Sequence, residues 1–458
     1  MRFYMKTVWE KHENYDDIMQ FNELYKAYLN ASKTEREATN EALKLAIAHG
    51  FKSLDSYDSL KAGDKVYYIN RNKNICLFII GEDSLLKGMN ILGAHIDSPR
   101  IDLKQNPLYE QEGLALFDTH YYGGIKKYQW VASPLALHGV VCKKDGSTVN
   151  ICIGEDDSDP VVGISDLLIH LAADQMQKKA SVVIEGEDLN VLVGSIPAKN
   201  SEEKELVKQN ILDLLKAKYD IEEADFVSAE LEIVPAGKAR DYGLDRSMIM
   251  SYGQDDRVCA YTSLRAILDV EKVKRTACCI LVDKEEVGSI GNTGMHSRSF
   301  ENIVARVLDK MGIYSSLNLN ECFRNSYMLS SDVTVAYDPN YPSVTEPKNT
   351  AYFGKGLCFA KYTGSRGKGG CNDANAEYMA KIRKVMDDNN VYFQTSELGK
   401  VDQGGGGTIA YILAALDMEV IDAGIAVQNM HAQYEVTSKA DVYEGYLGYK
   451  AFLKDMDH

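Results

Sequence analysis

The stretch Ala277-Cys-Cys-Ile-Leu-Val-Asp-Lys-Glu-Glu-Val-Gly288 opens as an unbroken apolar run and closes on two adjacent carboxylates. A short run that is apolar at every position predicts a strand buried on both faces. A helical pattern over Ala260–Val270 precedes it, and the alternation repeats downstream. Helix 374–387 leads to strand Val391–Thr395. Helix 408–416 leads to strand Val420–Val427, and a last helix starts near Ala440. Helices alternating with strands predict an α/β fold, three layers deep, with a mostly parallel central sheet. Ligand sites in such sheets form at the carboxyl ends of strands, and Glu285 and Glu286 stand at one. Like charges that close raise each other's proton affinity unless a cation neutralises them. In a metal site one carboxylate would ligate while the other takes a proton from the attacking water. A solvated loop after the strand is the plainer alternative.

Upstream, 22–49 reads as helix, with Thr34 and Glu37 spaced as a capping box. The apolar runs Ile75–Ile80 and Asn90–Ala94 read as two further buried strands. From about Asp102 to Gly243 the pattern changes to alternating strands around a charged helix from about Glu202 to Lys218. This predicts a smaller α+β domain, 102–243, inserted into a discontinuous domain formed by 1–101 and 244–458. With 458 residues, more than one core is expected.

The formal charge of −16 argues against nucleic acid and anionic membranes as partners. No apolar run approaches the roughly 20 residues of a membrane helix, and the start lacks a secretory pattern. The nine cysteines are scattered apart from Cys278-Cys279, with no CxxC pair. A reduced, cytoplasmic protein with non-ligating cysteines is expected.

Further polar residues fall at strand or helix ends. In Leu92-Gly-Ala-His-Ile-Asp-Ser-Pro99, His95 and Asp97 share a face of an extended chain. His95 can offer one ring nitrogen to a metal while Asp97 holds the other. A structural His-Asp pair is the alternative, and the preceding strand favours ligation. Gln254-Asp-Asp-Arg257 places Asp255 where it either caps a helix or bridges two cations. Asp332 in Leu329-Ser-Ser-Asp-Val333 and His431 in Met430-His-Ala432 follow further apolar runs. Two histidines and three carboxylates, with one carboxylate left over, suit two divalent ions. Mixed nitrogen and oxygen donors favour zinc, cobalt or manganese over calcium. The Gly404–Gly407 run, with Gly405 and Gly406 at its centre, is either a close approach for substrate backbone or a flexible turn.

Together GAHIDSP, QDD, DKEEVGS, SSDV and NMHA resemble the M18 family of metallo-aminopeptidases, the aspartyl aminopeptidase group, over nearly the whole chain. The resemblance implies a di-metal, usually di-zinc, enzyme acting on the amino ends of peptides. It assigns His95 and Asp332 to one ion and Glu286 and His431 to the other. Asp255 would bridge, Glu285 would be the general base, and Asp97 would orient His95. It further implies that His170, in Ile169-His-Leu171, reaches a neighbouring subunit's site, a helix-surface histidine being the alternative. The inserted domain would dimerise, within a tetrahedral dodecamer. Lys361 is the best match to a lysine that reads acidic substrates. The sequence around it departs from that pattern, so a preference for neutral residues stays open beside an acidic one. A related di-metal deacylase or carboxypeptidase is the other enzymatic alternative.

Overall fold

The computed structural model describes residues 6–199 and 204–456. The chain divides into two units. The first comprises Met1–Asp97, Ala239–Met430 and Glu435–His458; the second comprises Ser98–Lys238 and His431–Tyr434.

The first unit is built on a nine-stranded sheet. Its middle is four parallel neighbours: Thr276–Val282, Met89–His95, Tyr327–Ser330 and Glu419–Gly424. Antiparallel partners flank them, Asn74–Ile79 on one side and Leu357–Ala360 on the other. The unbroken apolar runs follow from burial on both faces. Ala277, Cys279 and Leu281 join one core with Ile75, Leu77 and Ile79, while Cys278, Ile280 and Val282 join another with Cys76 and Phe78. Helices Asp16–Asn30, Glu35–Ala48, Gln254–Leu268, Ala376–Asp388 and Lys439–Asp455 supply side chains to the first core. Helices Ser299–Lys310, Ser316–Arg324 and Ala410–Ala414 supply the second. The α/β, three-layer expectation holds.

Two expected elements are each divided. The stretch expected as one helix is two, and Thr34 caps the second by the capping box with Glu37. The run expected as one strand is also two: Glu419–Gly424 belongs to the central sheet, and Ala426–Gln428 to a separate five-stranded sheet. The second unit carries a six-stranded sheet, antiparallel at every pairing, and helix Leu206–Tyr219. The expected start of that helix, Glu202, lies outside the described residues, as do Met1–Met5 of the amino end. Among the described residues no helix is long and apolar enough to cross a membrane.

Candidate metal centre

The sheet's register brings the polar residues of the first unit together. His95, the last residue of its strand, pairs with Val282, so the chain leaving that neighbour enters Asp283, Lys284 and the glutamates at the same level. On the other side Ser330 pairs with Gly93, so Asp332 leaves the sheet level with His95. One histidine therefore sits between carboxylates delivered by both adjacent strands.

His95 is buried. Its Nδ1 lies 3.0 Å from the carbonyl oxygen of Asp97, which can only accept, so Nδ1 carries a proton. Nε2 faces Asp255 Oδ1 at 3.1 Å, Asp332 Oδ1 at 3.9 Å and Glu285 Oε2 at 4.0 Å. The Asp97 carboxylate lies 3.3 Å from His95 Nδ1. Its two oxygens also accept the backbone N–H groups of Glu285 at 3.1 Å and Glu286 at 3.2 Å. Asp97 therefore fixes the turn that carries the glutamates as well as the histidine ring.

Asp255 is placed by the strand Glu435–Ser438. Its N–H donates to Glu435 Oε2 at 2.8 Å. The preceding Gln254 is buried and pinned on both ends. Its amide donates to Glu435 O at 2.7 Å, and its oxygen accepts from Thr437 Oγ1 at 2.6 Å. The Asp255–Asp256 peptide is cis. Asp256 turns inward, fully buried, and its Oδ2 accepts the His95 N–H at 3.4 Å.

The electrostatics mark a site that lacks positive charge. Burial alone would lower the proton affinity of His95, but the carboxylates of Asp255 and Asp97 outweigh it and hold its pKa well above the usual imidazole value. Burial pushes Asp256 and Asp332 far above the carboxylate range, neighbouring acids adding to the rise. Asp283 rises to about 6, through burial and then Glu35 and Asp97. Without a cation, only a doubly protonated ring satisfies both nitrogens of His95. A metal ion replacing the Nε2 proton removes that requirement and neutralises the acids, which is the fit expected of a nitrogen and oxygen donor set. Two groups with ligand atoms within 4.8 Å of one another meet this description: His95, Glu285 and Glu286, and His95, Asp255 and Asp332.

Each of the remaining predicted residues has its own local setting. His431 groups with the second unit, where its Nδ1 lies 2.9 Å from Gly124 O. His170 lies exposed on a single-turn 3-10 helix, Ile169–Leu171. Lys361 follows strand Leu357–Ala360 and is ion-paired with Asp373 at 2.6 Å. Gly405 has φ +121°, and a side chain there would meet the Ser365 backbone at 2.4 Å. The chain's own close packing accounts for that glycine. Gly406 donates to Thr363 O at 2.9 Å. Sequence reasoning left out Glu435 and Asp283. Both are buried acids, and Asp283, just before the glutamate pair, was the one with a local signal.

A family model described as aminopeptidase I zinc metalloprotease (M18) matches residues 28–453. A probable M18 family aminopeptidase 1 of Clostridium acetobutylicum is 59% identical over 456 residues, covering 98% of each chain. The crystal structure of an M18-family aminopeptidase from Thermotoga maritima aligns with a TM-score of 0.96 at 43% identity, over 99% of this chain and 100% of that one. The mApe1 dodecamer of S. cerevisiae aligns with a TM-score of 0.78 at 21% identity, over 97% and 98% respectively, a likeness of fold.

Proposed function

The chain belongs to the M18 family of zinc metallo-aminopeptidases, and from that premise we propose that it removes residues from the free amino ends of peptides at a centre of two divalent cations, zinc first among them. One observation carries the reading: His95 Nε2 lies within 4.0 Å of oxygens of Asp255, Glu285 and Asp332, which arrive on three separate elements. His95 and Asp332 would hold one ion, Glu286 and His431 the other, with Asp255 shared. Cations held there would supply Lewis acidity toward the scissile carbonyl and toward water. Glu285 takes a proton from the attacking water and hands it to the leaving amine nitrogen. Asp97 keeps the His95 ring and the Glu285 turn aligned while this happens. The substrate's free amino end would coordinate an ion or meet a nearby carboxylate, which accounts for the requirement for a free amino end.

The experiment is hydrolysis of aminoacyl chromogenic substrates before and after exhaustive chelation, with N-acetylated peptides alongside. Activity should vanish on chelation and return with zinc, and the acetylated peptides should stay intact. Activity that survives complete metal removal refutes the reading. Cleavage of the acetylated peptides moves the assignment to a deacylase or carboxypeptidase.

For specificity, we propose a preference for neutral over acidic amino-terminal residues, since Lys361 is engaged by Asp373, a carboxylate it shares with Lys368. We also propose a homo-oligomer, a tetrahedral dodecamer, in which the inserted domain dimerises and His170 reaches a neighbour's site. The exposed Leu167, Leu168, Ile169 and Leu171 around His170 support this, since contiguous apolar surface marks an interaction site. The scattered, mostly buried cysteines support a cytoplasmic location.

A further inference from the structure

In the first unit, strand Lys65–Asn70, the turn after it and the start of helix Ser299–Lys310 enclose a cleft of about 340 Å³. We propose that this cleft binds a small molecule carrying a phosphate or diphosphate group. Its lining includes Arg71, Arg298 and Arg306, with Asn292, Asn302 and Ser297, and no lining residue is acidic. The volume suits a small ligand, and three guanidinium groups around one cleft run against a chain whose net charge is −16.

The arginines are not equivalent. Arg306 is held by Asp55 and lies over the Tyr68 ring at 5.0 Å. Arg298 is held by Glu301 at 3.2 Å. Two carboxylates that are not part of the lining thus hold two of the guanidinium groups. Arg71, at the turn before strand Asn74–Ile79, has no ion pair among the described residues. The cluster is left one positive charge in excess. Guanidinium forks match the oxygens of a phosphate, and several of them around one group select a polyvalent anion over a chloride. The amides of Asn292 and Asn302 and the hydroxyl of Ser297 add neutral hydrogen-bonding groups. The 12-residue helix also begins here; its N-cap residue Arg298 makes no side-chain cap, the Ser299 N–H meets Ser297 Oγ only at 3.4 Å, and the amino end of the helix adds to the same field.

The cleft shares a wall with the catalytic turn. Asn70 Nδ2 donates to Asn292 O at 3.0 Å, and Asn74 Nδ2 to Thr293 O at 2.6 Å. Thr293 Oγ1 in turn donates to Asp283 Oδ2 at 2.7 Å, two residues before Glu285. An occupant held by Asn292 and the arginines would therefore restrain the segment that carries both glutamates.

Calorimetric titration of the metal-loaded enzyme with ADP tests the proposal, with adenosine as the control lacking phosphate. Titrations are repeated with an amino-acid hydroxamate saturating the metals, and in Arg71→Ala/Arg298→Ala. One saturable site per chain is expected, blind to the hydroxamate, absent for adenosine, displaced by inorganic phosphate, and weakened at least about tenfold in the double variant. Turnover of that variant without ADP should match the wild type, which shows that the exposed substitutions leave the fold intact. Binding abolished by the hydroxamate, equal binding in the double variant, equal binding of adenosine, or no saturable binding at millimolar ADP each overturn the proposal.

Discussion

Replacing Asp422 by Asn should stabilise the protein by about 3 kcal/mol at pH 8 and by only about 1 kcal/mol at pH 4.5. Asp422 lies in the central sheet, opposite Ser330 on one neighbour and Ala360 on the other. It is buried, and neither carboxylate oxygen has a hydrogen-bond partner of good geometry among the described residues. Burial raises its pKa from 3.8 to about 6, and the nearby hydroxyls of Thr408 and Ser330 draw it down only in part. A carboxyl group whose folded pKa exceeds its unfolded one binds more protons in the native state. Stability from this group is therefore present below about pH 4 and is lost as pH rises through about 6. The gap between 3.8 and about 6 corresponds to a full cost on the order of 3 kcal/mol at pH 8. Roughly 2 kcal/mol of that should accumulate between pH 4.5 and 8. Asn keeps the shape and removes the charge. Urea unfolding of both proteins at the two pH values, with metal held constant, measures the difference. A variant less stable than the wild type at pH 8, or a stability difference that does not grow with pH, refutes the reasoning.

Glu285→Gln should retain its metals by elemental analysis while kcat falls by a factor of about 10² to 10⁴, the usual worth of a general base; near-normal turnover would remove Glu285 from that role. Lys361→Ala should leave the leucyl-to-aspartyl ratio of kcat/KM nearly unchanged, since Asp373 already engages the lysine; collapse of aspartyl cleavage alone would restore the acidic reading. Gly405→Ala should destabilise the protein by roughly 1–3 kcal/mol, because it combines a left-handed φ with a backbone clash, whereas Gly407→Ala, which meets open space, should be close to neutral in the same melt.

The layered core was legible because burial on both faces writes itself as unbroken apolar runs, and strands 276–282 and 89–95 lie within a residue of where those runs place them. What failed to show was where a uniform pattern is cut. Val420–Val427 is apolar enough to read as one strand, yet the chain changes sheets at Ile425; the one local signal was Gly424, where a Cβ would meet the Asp332 carbonyl oxygen at 1.7 Å. The long amino-terminal helical pattern hid a break at 31–34, although Thr34 and Glu37 announced the second start. Within the site, residues that ended apolar runs were visible because polarity there is anomalous. Glu435 was not, since it begins a strand far along the chain and matters only through its contact with Asp255. The partner of Lys361 was hidden for the same reason, as Asp373 is 12 residues away across a loop.

Asp97 serves a histidine and a pair of glutamates from a single carboxylate. Positional error there is therefore shared: a displacement of that carboxylate carries the His95 ring and the Glu285–Glu286 turn in the same direction and leaves their separation almost intact. The site tolerates drift of the whole assembly better than distortion within it. Substitutions around Asp97 should for that reason act as one unit rather than as a sum of parts.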